Sequence, residues 1–241
     1  MSEQIQPPID NIAMIKNIVA WIGTALAIGL KITPSVLFYK IFMKIEKHNI
    51  IPESMLVFNV LVGQLWMCYW LRQDNFVPTF SAGVGTCFSI LFAALYLFII
   101  FNGKWTTFIF ALLIVGDLIL QVFYGLIYIL PLPIVGKCAM IINIISYAAP
   151  GQNIIKVIRK GDYKLIPIVT TMAGLLCSMS WTLFGILQKD WNAIIPNSLG
   201  IFFSSVNIIV WLIFYCKSKR NNNKKSETLV GEGVEMKPTK E

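Results

Sequence analysis

Residues 77–101 read VPTFSAGVGTCFSILFAALYLFIIF, 25 consecutive positions without a charged side chain. A helix of that length rises roughly 37 Å, enough to cross a hydrocarbon core of ~30 Å. Lipid offers no partner for backbone N–H and C=O groups, so a spanning segment of this kind must bond within itself as a helix. Six further apolar stretches flank it, at 14–39, 53–71, 106–130, 134–158, 165–187 and 193–216. They are too long and too continuous for the strands of a β-barrel. Short polar separators divide them, such as Asn102-Gly103-Lys104 before span 4 and Pro131-Leu132-Pro133 after it.

The composition agrees. Of the 241 residues, 56% are apolar and only 13% are charged, against ~25% charged in ordinary soluble domains. A soluble enzyme and a disordered chain are both excluded. The formal net charge of +8 lies in loops and a tail rather than on a folded basic face, so nucleic acid is not a partner. The five cysteines show no CxxC spacing, and His48 is the lone histidine. No metal, disulfide framework or cofactor is expected, and no nucleophile–base set indicates catalysis.

Lysine and arginine fall unevenly about the spans. Lys40, Lys44, Lys47, Lys104, Lys156, Arg159, Lys160, Lys164 and the cluster that starts at Lys217 lie on one side. Lys16, Arg72, Lys137 and Lys189 lie on the other. Positive charge stays cytosolic, which puts the N-terminus outside and the C-terminus inside. The tail from Lys217 onward is polar and aperiodic, and is expected to be unstructured.

A shift of 115 positions superposes rare residues. Pro52 meets Pro167, Trp66 meets Trp181, Gly85 meets Gly200 and Ser89 meets Ser204. A shift of 116 pairs Pro34 with Pro150 and Lys40 with Lys156. The chain has only 11 prolines and 7 tryptophans, so such coincidences carry weight. Spans 1–3 are thus repeated in spans 5–7, and span 4 has no counterpart. Three helices are an odd number, so one added helix is needed to make the second copy parallel to the first. The expected fold is all-α and integral to the membrane, with seven transmembrane helices in a 3+1+3 arrangement. Its parts are a first repeat at 12–104, a linker helix at 105–131, a second repeat at 132–216 and a tail at 217–241. Transporters built from repeats hold their substrate at the repeat interface near the midplane.

Trp181, Asp190 and the run Ile195-Pro196-Asn197-Ser198-Leu199-Gly200 resemble the SWEET family of sugar transporters. So do Tyr147-Ala148-Ala149-Pro150 followed by Pro167, and Thr33-Pro34-Ser35 followed by Pro52. The resemblance covers about 12–216. It departs at Ala82 in Ala82-Gly83-Val84-Gly85, where the family has an asparagine. The resemblance implies bidirectional, facilitated transport of mono- or disaccharides by alternating access. It places Trp66, Trp181, Asn197, Asn143, Ser146, Cys177, Ala82, Val62, Ala27 and Leu30 around the substrate. It also gives Pro34, Pro52, Pro150 and Pro167 a hinge role and Asp190 a gate role. Physically, tryptophan faces suit the C–H face of a sugar ring and an asparagine amide suits its hydroxyls. The second repeat supplies polar lining and the first is expected to be apolar.

Lys31 and Asp117 are charges inside spans 1 and 4, outside that pattern; mutual pairing and proton coupling are both open, with uniport the expectation. Two other classes fit seven spans. A receptor would not show the 3+1+3 repeat. A PQ-loop carrier would have Pro-Gln where this chain has Pro34-Ser35 and Pro150-Gly151. The plasma membrane is the default location and an internal membrane the alternative. The partners expected are a small sugar and the bilayer, with homo-oligomers formed through spare helix faces.

Overall fold

The computed structural model describes residues 11–45, 53–100 and 129–231, with 109, 116, 118, 119 and 125 between them. Among these lie α1 (Asn11–Ile32), α2 (Pro34–Phe42), α3 (Glu53–Leu71) and α4 (Phe76–Ile100). After span 4 come α5 (Leu132–Ser146), α6 (Ala148–Lys160), α7 (Ile168–Gln188) and α8 (Trp191–Gly231). A single 3-10 turn, Tyr163–Leu165, precedes α7. Four of the described helical segments are long and apolar enough to cross a bilayer: Asn11–Phe42, Phe76–Ile100, Ile168–Gln188 and Trp191–Asn221. Pro52, Asp117 and most of the expected linker helix at 105–131 lie outside the described residues.

Span 1 is α1 and α2 joined at a break, and proline chemistry accounts for it. Pro34 has no N–H to give the carbonyl four residues back, that of Leu30. Thr33 satisfies that carbonyl instead, through its backbone N (3.3 Å) and its hydroxyl (2.7 Å). Span 5 breaks likewise at Tyr147, between α5 and α6, with Pro150 the third residue of the new helix. Proline also sets the start of α7, where Pro167 occupies the cap position.

The repeat reads directly from the helix starts. Glu53 and Ile168 open α3 and α7, Phe76 and Trp191 open α4 and α8, and both pairs are 115 apart. The turns before α4 and α8 each hold a residue in the left-handed region, Asp74 (φ 55°) and Lys189 (φ 56°), again offset by 115.

Packing differs between the two ends of the molecule. At the Asp190 end, α1 packs on α7 and α3 on α5, so each repeat grips the other. The core there draws Ala20, Tyr69, Trp70, Val135, Phe184 and Ala193 from five helices of both repeats. At the Lys40 end each repeat packs on itself. Phe38 and Ile41 of α2 bury against Phe92 and Tyr96 of α4. Tyr163 stands edge-on to Trp211 and Tyr215 of α8. Among the described residues no comparable packing joins α2 or α6 to the opposite repeat. Large apolar side chains are left outside, Val169 being 79% exposed and Phe76 71%, as lipid-facing positions require.

One expectation changes. α8 does not stop at the membrane edge near 216 but runs on as helix through Lys217, Lys219 and Arg220 to Gly231. Helical hydrogen bonding propagates from an existing helix at little cost, and lysine, arginine and glutamate are good helix formers. Aperiodicity in the hydrophobic pattern signals the absence of a buried face, not the absence of a helix.

Candidate functional site

Between the repeats lies a cavity of about 620 Å³, in the range of small-molecule pockets. The structure brings together on its wall all ten of the residues picked out around the substrate. Ala27, Leu30, Val62, Trp66 and Ala82 come from the first repeat; Asn143, Ser146, Cys177, Trp181 and Asn197 come from the second. Pro167 lines it too, whereas Pro34 stands outside its lining at the break of span 1.

Aromatic rings form the roof on the Asp190 side. Trp66 stacks on Trp70 (5.7 Å, 17°), Trp70 meets Phe184 edge-on (5.7 Å), and Phe184 meets Trp181 edge-on (5.6 Å). This chain of four rings crosses from one repeat to the other. The Trp181 indole reaches α1 because Gly23 has no side chain; a Cβ there would lie 3.1 Å from the ring. α7 is stitched to α1 beside it: Ser180 donates to the Val19 carbonyl (2.8 Å) and the Cys177 thiol to that of Gly23 (3.8 Å).

Asn197 uses one amide N–H on its own helix, donating to the Ala193 carbonyl (2.8 Å). Its amide oxygen and second N–H remain for the cavity. Ser146 donates to the Asn143 carbonyl (2.6 Å), which holds that pair on one turn of α5.

Beyond the rings the cavity is sealed. The Tyr69 hydroxyl donates to the Asp190 carboxylate (3.0 Å to either oxygen) and accepts from the Asn192 amide (2.9 Å). The Asn192 backbone N–H donates to Asp190 as well (3.0 Å). Gln188 donates to Asn75 (2.8 Å), and Arg72 to the Leu130 carbonyl (2.6 Å). Asp190 therefore closes its end through a tyrosine of the other repeat.

Sequence reasoning missed several polar positions. Lys31, Asn59 and Ser81 line the cavity from the first repeat, so that side is not apolar. Lys31 lies on the wall rather than apart from it, its ammonium donating to Asn59 Oδ1 (3.0 Å). Thr170, Thr171, Ser204 and Asn207 extend the second repeat's polar face. A signal was present: Asn59 lies seven residues before Trp66, and Ser204 seven after Asn197, so each shares a helix face with a chosen residue.

The deciding comparison is structural. A solved structure titled as the 3.7 Å resolution structure of a eukaryotic SWEET transporter superposes with a TM-score of 0.73, at 19% identity, over 85% of this chain and 99% of that one. This chain has the SWEET fold. Residues 133–220 match the family described as sugar efflux transporter for intercellular exchange. Similarity to proteins named bidirectional sugar transporters extends further along the chain. The bidirectional sugar transporter SWEET1a of Sorghum bicolor is 24% identical over 202 residues, covering 80% of this chain and 74% of the relative. The bidirectional sugar transporter NEC1 of Petunia hybrida is 27% identical over 233 residues, covering 89% and 84%.

Proposed function

We propose that this protein is a facilitative sugar carrier, a uniporter that exposes the cavity between its repeats to one side of the membrane at a time. One observation carries the reading: ten positions spread over both repeats converge on a single cavity, roofed by Trp66 and Trp181 and edged by Asn197. A flat apolar roof with amide and hydroxyl groups around it matches a sugar ring, whose C–H face stacks and whose hydroxyls donate and accept. The names of the similar proteins point to the same substrate class.

In this reading the end closed by Asp190 is shut, and the Lys40 end, where each repeat packs on itself among the described residues, is the open one. The lysine and arginine asymmetry makes the Lys40 side cytosolic, so this is the inward-facing state, with the N-terminus outside and the C-terminus inside. Repeat boundaries at 12–104 and 132–216, with the linker between, belong to this reading. So do a plasma-membrane location and self-association through lipid-facing helix surfaces. The cycle needs the Asp190 seal to part and the Lys40 ends of the repeats to meet, with Pro34 and Pro150 as the bending points and Pro52 and Pro167 fixing the helices beside them.

Counterflow tests it. Proteoliposomes preloaded with unlabelled glucose should transiently accumulate trace labelled glucose. Asn197→Ala and Trp181→Ala should each lower the initial rate by about tenfold or more, the effect of losing ~1.4 kcal/mol of binding. Folded protein that supports counterflow of no sugar, neutral or charged, would overturn the proposal.

A further inference from the structure

Lys31 is the single charged residue on the cavity wall among the described residues. Its place in the repeat makes it informative. A shift of 116 pairs Lys31 with Tyr147, and each packs on the equivalent glycine of its repeat, Gly85 or Gly200. A Cβ on Gly85 would make ordinary contact with the lysine stem at 3.7 Å, so the stem lies along the α4 backbone. In the second repeat the position is neutral, and the Tyr147 hydroxyl is hydrogen-bonded to Ser178. In the first repeat it is an ammonium whose recorded partner is one amide oxygen, that of Asn59.

A neutral sugar makes no demand for a full charge at this depth. A hydroxyl or an amide satisfies sugar hydroxyls, as Tyr147, Asn143 and Asn197 can from the other repeat. An ammonium in a membrane span is expensive, and marks a substrate or ion pathway by default. Lys31 has two N–H donors beyond the one given to Asn59. The described lining holds no carboxylate to compensate it. In a low-dielectric cavity an opposite charge on the ligand is worth much more than in water.

We propose that Lys31 is an anion subsite and that the transported sugar carries a negative charge, as a hexuronate or a hexose phosphate does. The ring sits under Trp66 and Trp181, and the carboxylate or phosphate oxygens reach Lys31. Lys31 is three residues before Pro34, so the bound charge lies next to the span 1 break. The inference rests on the sugar-carrier reading and narrows its substrate.

The test is counterflow of labelled glucuronate, glucose 6-phosphate and glucose, each at the same concentration, in proteoliposomes of the full chain. Wild type should take at least one of the two anions about tenfold faster than glucose, since a hydrogen-bonded charge pair outweighs a neutral bond by that factor or more. Which anion is taken tells carboxylate from phosphate. Lys31→Met should cut that flux about tenfold or more, and by a larger factor than it cuts glucose flux, while Lys31→Arg keeps the anion preference. Should Lys31→Met not fold, Lys31→Gln is read in its place, and the wild-type preference needs no variant. Glucose outpacing both anions in the wild type, or Lys31→Met lowering all three sugars alike, overturns the anion subsite and leaves the carrier standing. Flux of none of the three by folded protein overturns the carrier reading itself.

Discussion

At the scale of single residues, Gly85 and Gly200 are equivalent by repeat and opposite in consequence. A Cβ on Gly200 would come 2.5 Å from Ser178 Oγ and 2.6 Å from the Tyr147 hydroxyl, whereas on Gly85 it meets the lysine stem at 3.7 Å. Gly200→Ala should therefore cost about 1–3 kcal/mol through overpacking. Gly85→Ala should be neutral or gain up to ~1 kcal/mol, because alanine loses less backbone freedom in a helix. Thermal unfolding midpoints of the two variants in the same detergent check this. Equal losses would mean that the two sites are not packed as described. The same residues show what was legible in advance. Gly85, Gly200, Trp66 and Trp181 stood out because rare residues recurred at one offset. Lys31 was legible as a charge inside a span but not as part of the cavity wall, because its repeat partner is a tyrosine, and a charge facing a phenol leaves no coincidence to detect. Asn59 was hidden for a similar reason, since its counterpart at the same offset is Gly174.

At the scale of elements, the proline breaks were readable because proline removes a definite donor and leaves a definite carbonyl unpaired. Their exact positions were not. One break falls at Thr33, directly before Pro34, and the other at Tyr147, three residues before Pro150. The difference lies in what rescues the orphaned carbonyl, and for Leu30 it is the Thr33 hydroxyl. Pro34→Ala restores the missing N–H and lets α1 and α2 fuse. We expect the exchange rate to fall by about tenfold, the effect of ~1.4 kcal/mol on a barrier, with the half-saturating sugar concentration unchanged. Counterflow kinetics measure both, and an unaltered rate would mean that span 1 does not bend during transport. α8 outruns its apolar pattern because a helix propagates where its buried face ends.

At the scale of the whole molecule, the two repeats are tied at one end and separate at the other. The tie is specific: α7 donates to α1 through Ser180 and Cys177, and Tyr69 donates to Asp190 across the interface. A disulfide between Val19→Cys and Ser180→Cys, on a background free of other cysteines, should hold that end shut. Exchange should stop, and return on reduction, while sugar binding measured from the Lys40 side persists. Exchange that continues through the crosslinked protein would show that this end need not open. The repeat architecture was legible from sequence because an odd number of helices per copy forces a linker between parallel copies. Which end was closed was not, because the seal depends on pairs 121 and 123 residues apart, Tyr69 with Asp190 and with Asn192. No local pattern records such pairs.

The length of α8 turns this asymmetry into something visible from outside. Its 41 residues reach roughly 62 Å, about twice the hydrocarbon thickness. The helix packs on α5, α6 and α7 within its own repeat, so in the alternating cycle proposed above it would tilt with that repeat. A rigid rod fixed along half its length acts as a pointer, and a few degrees at the cavity become several ångströms at its free end. A dye placed beyond Arg220 would then report each turnover from the water, without touching the path that the sugar takes.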